Sequence, residues 1–252
     1  MKKILLLFIL ILASSGLVIA NADNLTPKKV KWNFDGMFGT FDRTSIQRGF
    51  QVYKEVCSAC HSLNLVSFRN LTEVGFSEME AKEIAKNYNI PDGPNDAGEM
   101  FDRPGVLSDR FYGPYANEKV ARATNNGALP PDLSLIVRAR EDGANYIHSL
   151  LIGFNQPIPD GMHIQDGMHY NPYFPGMQIA MASPLSDGIV TYTDGTKTTI
   201  DQMSRDVVNF LQWTADPKME KRKSTGIKVL LFLVIFTGLF VFANKNIWSK
   251  ID

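Results

Sequence analysis

The chain has 252 residues with 44% hydrophobic content, enough for one or two domains with real cores. Its 26 basic and 26 acidic residues cancel, and no basic run is interleaved with aromatics, which sets nucleic acid aside as a partner. Only two cysteines are present, three positions apart, so a disulfide framework is excluded.

The N-terminus has the pattern of an export signal. Met1-Lys2-Lys3 is a basic start, Ile4 to Leu12 is unbroken apolar sequence, and Ala20-Asn21-Ala22 fits an A-x-A cleavage site. Residues 1–22 are therefore expected to be removed, with the mature chain beginning near Asp23. Residues 23–40 are irregular and polar, with Trp32 and Phe34 as packing points. Ile46, Phe50 and Tyr53 recur at helical spacing, predicting a helix over Asp42–Glu55 with N-cap candidates among Asp42, Arg43, Thr44 and Ser45.

That helix runs into Cys57-Ser58-Ala59-Cys60-His61, the C-x-x-C-H haem-attachment signature. Two thiols at this spacing can add to both vinyl groups of one haem, and the adjacent histidine is carried under the ring to ligate iron. A thioredoxin-like redox pair would need a βαβ setting, which is absent from the surrounding pattern. Zinc would need further ligands, and no second Cys pair or H-x-x-x-H supplies them.

Ser77 to Tyr88 reads as a helix with Ser77 and Glu80 forming a capping box. From Glu73 to Asp102 eight acidic residues face only Lys82 and Lys86, a charge balance suited to docking a basic cytochrome c. Helices are also predicted over Asn117–Asn125 and Gly143–Gly153, the latter with Tyr146, Ile147, Leu150 and Leu151 on one stripe. Residues 154–185, punctuated by Pro157, Pro159, Pro172, Pro175 and Pro184, read as a long loop. Residues 188–200 suggest a small hairpin turning at Asp194-Gly195, and Thr199–Thr214 is helical.

A sixth iron ligand would make the haem a closed electron carrier. Histidines 148, 163 and 169 are weaker candidates than methionine, because His/Met ligation stabilises ferrous iron and raises potential. Met162, Met168, Met177 and Met181 all lie in the Pro/Gly-rich loop, and spacing does not choose among them.

Near the C-terminus, Val229 to Ala243 carries no charge, and Ile227 and Lys228 extend it toward bilayer thickness, with Trp248 as an interfacial aromatic. This segment is read as a membrane anchor over 224–245, leaving 23–223 as the exported domain and 246–252 as a short cytoplasmic tail. Lys218, Lys221, Arg222, Lys223 and Lys228 precede the span while Lys245 and Lys250 follow it, so the positive-inside rule alone predicts the opposite orientation. The export signal is given more weight, because a translocated domain is not easily drawn back.

Three segments carry a family resemblance: Arg48-Gly-Phe-Gln-Val-Tyr-Lys-Glu-Val-Cys57, Asn125-Asn-Gly-Ala-Leu-Pro-Pro-Asp-Leu-Ser134 and Asn171-Pro-Tyr-Phe-Pro-Gly176. Together they resemble the cytochrome c1 family, the haem subunits of cytochrome bc1 complexes, over about Trp32 to Trp248. The resemblance implies a mostly α, class I cytochrome c-like haem domain with long loop insertions, a small hairpin and one C-terminal transmembrane helix. It implies one covalent haem c on Cys57 and Cys60, with His61 and Met181 as axial ligands. It also places Arg140 at a haem propionate, and Tyr146 and Pro130-Pro131 against the ring. The implied role is one-electron transfer from a Rieske iron–sulfur protein to cytochrome c, with no substrate turnover of its own. Cytochrome b is implied as a further partner, in a complex that the family forms as a dimer. The implied location is the bacterial inner membrane with the haem domain on the periplasmic side.

Overall fold

The computed structural model describes residues 24–249; the export signal expected over 1–22 and the last tail residues lie outside them. The described chain is mostly helical. Six α-helices run in order: α1 (Arg43–Glu55), α2 (Glu78–Lys86), α3 (Glu118–Thr124), α4 (Gly143–Ile152), α5 (Ile200–Ala215) and α6 (Met219–Trp248). Six short strands form three antiparallel pairs: β1 (Leu63–Ser67) with β4 (Arg110–Phe111), β2 (Asn89–Asp92) with β3 (Phe101–Pro104), and β5 (His169–Tyr170) with β6 (Gln178–Ile179).

The predicted helices form within a residue or two of their expected ends, because their caps are chemically explicit. Asp42 accepts from Ser45 N at the start of α1, Ser77 and Glu80 form the capping box of α2, and Asn117 and Thr199 cap α3 and α5. The scaffold is the crossing of α1 on α5. Gly49 lies at the crossing, where an added Cβ would stand 2.0 Å from the Asp206 carbonyl oxygen. The glycine gives up about 0.5–1 kcal/mol of helix propensity so that the two backbones can touch.

Around that contact Phe50, Tyr53, Phe68, Phe111, Phe210 and Trp213 form a dry aromatic core, with Phe68 and Phe111 centroids 4.2 Å apart and Phe50 and Phe210 5.7 Å apart. A charged group is buried with them. Asp206 is fully buried and accepts from Arg48 Nε (2.9 Å), Arg48 Nη2 (3.0 Å), Ser45 Oγ (2.7 Å) and Gln202 Nε2 (3.0 Å), so its charge is fully partnered. Trp32 and Phe34 are buried packing points, as expected, and Trp32 Nε1 donates to Asn145 Oδ1 on α4 (2.9 Å).

One expectation is corrected. Residues 188–200 do not form a hairpin; the segment is turns and irregular backbone. The ends of the segment meet in one backbone hydrogen bond, Gly188 N to the Thr198 carbonyl (2.8 Å), but no strand ladder follows; Asp194 is held by Arg48 Nη1 at 2.9 Å, and Val190 and Tyr192 are buried against the core. Consecutive strands pair instead at β2–β3 and at β5–β6.

The last helix is continuous for 30 residues, starting before the predicted span at 224 and running past its end. It is the one helix among the described residues that is long and apolar enough to cross a membrane.

Candidate haem site

The C-x-x-C-H segment leaves α1 through a single tight turn. Cys57–Ala59 is 3-10 helical, and the Cys57 carbonyl accepts from both Cys60 N (3.1 Å) and His61 N (2.9 Å). Both cysteines are free and half-buried. Burial, reinforced by the neighbouring Cys60, pushes the Cys57 thiol up to about 12. Tyr53, in the last turn of α1, donates its hydroxyl to the His61 carbonyl at 3.1 Å, tying the turn back to the aromatic core.

The imidazole of His61 has a defined tautomer. Its Nδ1 lies 2.8 Å from the Pro131 carbonyl oxygen, which can only accept, so Nδ1 carries the proton and Nε2 keeps a free lone pair. Burial lowers the His61 pKa, although the Pro131 hydrogen bond and the nearby Asp132 carboxylate oppose that shift. A neutral imidazole with its second nitrogen fixed by a carbonyl is what an iron-ligating histidine requires.

Asp132 organises this side of the site, and the sequence pattern did not single it out. Its Oδ2 accepts from Ser62 Oγ and Asn64 N, both at 2.7 Å, and its Oδ1 accepts from Ser134 N at 2.9 Å. Ser134 Oγ in turn accepts from Leu65 N (3.1 Å), and Ser62 O accepts from Leu133 N (2.9 Å). Burial works against the carboxylate charge, yet these donors hold Asp132 below the usual carboxylate range. The available signal was local: an Asp two residues before a Ser, directly after Pro130-Pro131, has the form of a backbone-binding Asx turn.

The methionine loop is fixed differently. Pro175 and Gly176 occupy the middle of a type II turn, with Gly176 at φ 77° and Met177 N donating to the Phe174 carbonyl at 2.7 Å. Asn171 is fully buried; its Nδ2 donates to the Leu150 carbonyl of α4 (2.7 Å), and its Oδ1 accepts from Tyr173 N (3.1 Å). Asn171 N also donates to the Met177 carbonyl at 2.9 Å. Met181 follows β6 by two residues and is half-buried, as are Met162, Met168 and Met177, so burial does not separate the candidates. Met177 itself sits in the turn at φ 58°, its carbonyl already used by Asn171.

Arg140 is exposed, and among the described residues it has no carboxylate at ion-pair distance; its one hydrogen bond goes to the Ala139 carbonyl (3.1 Å). Burial raises the Tyr146 hydroxyl, and the adjacent Arg140 guanidinium opposes that shift, so these two predicted neighbours are brought together. His148 is not positioned as a ligand. It is buried between α4 and α5, with Nε2 2.9 Å from Asp201 Oδ1 and its ring edge-on to Trp32.

The donor set fits a c-type haem. Two free thiols, an imidazole with Nε2 free, half-buried thioethers and an arginine without a carboxylate partner are the groups such a cofactor uses. The acidic stretch over 73–102 is exposed apart from half-buried Asp92, but much of its charge is satisfied internally. Glu78 pairs with Lys82, Glu83 with Lys86, Asp92 with Arg103, and Glu80 serves the α2 cap.

Residues 32–251 match the model of the Cytochrome C1 family. The chain is 43% identical to cytochrome c1 of Rhodospirillum rubrum, covering 99% of this chain and 97% of that protein. It is 48% identical to the mitochondrial cytochrome b-c1 complex catalytic subunit of Candida albicans, over 90% of this chain and 79% of that protein. It is also 48% identical to the cytochrome b/c1 protein of Bradyrhizobium diazoefficiens, over 91% of this chain, and there spans 36% of the relative's length. The chain belongs to the cytochrome c1 family.

Proposed function

We propose that this protein is the cytochrome c1 subunit of a membrane quinol–cytochrome c oxidoreductase, moving single electrons from a Rieske iron–sulfur partner to a cytochrome c. The observation that supports it most directly is the His61 Nδ1 contact with Pro131, which presents Nε2 beside two free thiols on one turn. When bound, the haem supplies a one-electron ferric/ferrous couple whose potential is raised by His/Met ligation. Cys57 and Cys60 would hold it through thioethers, and His61 and Met181 would ligate its iron. Arg140 would neutralise a propionate, with Tyr146 and Pro131 against the ring. With both iron ligands supplied by the protein, the chain would relay charge and carry out no bond chemistry of its own.

The domain boundaries follow the same reading. Residues 1–22 are a cleaved signal, 23–223 a periplasmic haem domain, 224–245 the single-pass inner-membrane anchor and 246–252 a cytoplasmic tail. The names of the relatives join cytochromes b and c1, which supports cytochrome b as a partner, in an assembly expected to be dimeric. Two experiments test the proposal. Haem should remain with the chain through denaturing electrophoresis, and Met181→Leu should abolish the near-infrared methionine–iron band. Purification from membranes should bring down cytochrome b and a Rieske protein; their absence would leave a free-standing anchored cytochrome. A high-spin iron that binds added ligands would instead indicate an open haem enzyme.

A further inference from the structure

The loop between Trp32 and Phe41 is built tightly and yet presents two large apolar side chains outward. Thr40 N donates to the Asn33 carbonyl (3.0 Å), Asp35 N to the Trp32 carbonyl (3.1 Å), and Trp32 N to Asp35 Oδ2 (3.0 Å), closing the neck. Trp32 and Phe34 turn inward and stack at 5.4 Å. At the tip, Met37 is 57% exposed and Phe38 79% exposed. A phenylalanine this open on an ordered loop is a candidate contact with something apolar.

The first turns of α6 set the level of the tip. Lys223 Nζ donates to the Phe34 carbonyl (2.5 Å) and the Gly39 carbonyl (3.3 Å), and the Glu220 carboxylate accepts from Phe41 N (2.7 Å) and from both terminal nitrogens of Arg43 (2.7 and 2.6 Å). The loop is thus bound to α6 between residues 220 and 223. Ile227, the first residue of the apolar run, lies four positions on, about 6 Å along the axis. A headgroup layer is roughly 5–8 Å thick on each side of the hydrocarbon, so the loop neck stands at that layer. Lys218, Lys221 and Lys228 have no ion-pair partner among the described residues and suit the same polar zone. The adjoining cleft of about 450 Å³ balances Arg138, Arg222 and Lys223 against Asp35, Asp142 and Asp216, so it does not favour an anion, and the apolar tip is the distinctive feature.

We propose that the Gly36–Phe38 tip is a second membrane contact, with Met37 and Phe38 entering the headgroup layer of the bilayer that α6 spans. The occupant is a lipid surface. The proposal rests on α6 being a bilayer span, and the test separates the two. The haem-loaded full chain is placed in phosphatidylcholine nanodiscs with a nitroxide at Phe38→Cys, at Met79→Cys on exposed α2, or at Val234→Cys in the span. Relaxation by oxygen and by a water-soluble nickel chelate is then compared. The oxygen-to-nickel ratio should be several-fold higher at 38 than at 79, and highest at 234. Equal ratios at 38 and 79, with 234 in lipid, would overturn the loop contact alone. A water-like ratio at 234 would overturn the span reading and the loop contact with it. Shielding of position 38 that arises only in the assembled complex would assign the tip to a protein partner and also overturn the proposal.

Discussion

The α1–α5 scaffold and the loops that carry the candidate ligands are held by different forces. The scaffold is dry and aromatic: Phe210 is fully buried with its centroid within 6 Å of those of Phe50, Tyr53 and Trp213. The ligand loops are also held by clips from side chain to backbone, with Asp132 on the histidine side and Asn171 on the methionine side. Packing energy is spread over many atoms and tolerates small shifts, whereas a hydrogen bond fixes direction. Stability and ligand geometry should therefore be separable by mutation.

The strongest challenge to that separation is Phe210→Ala. It should cost about 3–5 kcal/mol, visible as a large drop in the denaturation midpoint, while the folded fraction keeps its methionine–iron band. A band lost in step with stability would mean that the two regions are one unit. Asn171→Ala comes next. It leaves the Leu150 carbonyl and Tyr173 N without their partner, at about 1–3 kcal/mol, and should weaken the band disproportionately in near-infrared absorption. Met181→Leu nearly conserves volume and should cost less than about 1.5 kcal/mol, yet remove the band and lower the potential. If Met177→Leu does so instead, the ligand assignment moves to that turn.

The smallest effect is a pH dependence within the scaffold. His148 is buried with Nδ1 unpartnered, and burial lowers its pKa despite the opposing hydrogen bond to Asp201. The folded state thus resists a proton that the unfolded chain accepts below about pH 6.5. Its contribution is complete above that pH and is lost as pH falls toward the depressed folded value. His148→Gln should flatten the decline of the urea midpoint between neutral and mildly acidic pH; an unchanged slope would place the dependence elsewhere.

What was legible in the sequence follows the same division. The helices announced themselves through caps and periodicity because both are local: Asp42, Ser77, Asn117 and Thr199 act within three residues of themselves. The attachment motif is equally local. The β1–β4 pair joins segments over forty residues apart, and Asp132 binds Ser62 and Asn64 some seventy residues earlier, so neither has a periodic signature. At 188–200 the Asp-Gly turn signal was sound, with Thr196 N donating to Asp194 Oδ1, but no strands flank the turn, and Val190 and Tyr192 are buried in the core. Tertiary packing of the flanking residues overrode their local strand propensity.

The attachment of α6 to the domain has a mechanical consequence. Glu220 and Lys223 clamp the first turns of a helix about 45 Å long, and Asp216, just before it, joins Arg138 to Arg222 across the junction at 2.6 Å each. The joint has no hinge. If α6 spans the bilayer as proposed, domain and anchor would stand together as a mast, holding the proposed relay at one height and one heading. On that proposed reading, any travel needed to bring another redox centre within range would fall to the proposed partners.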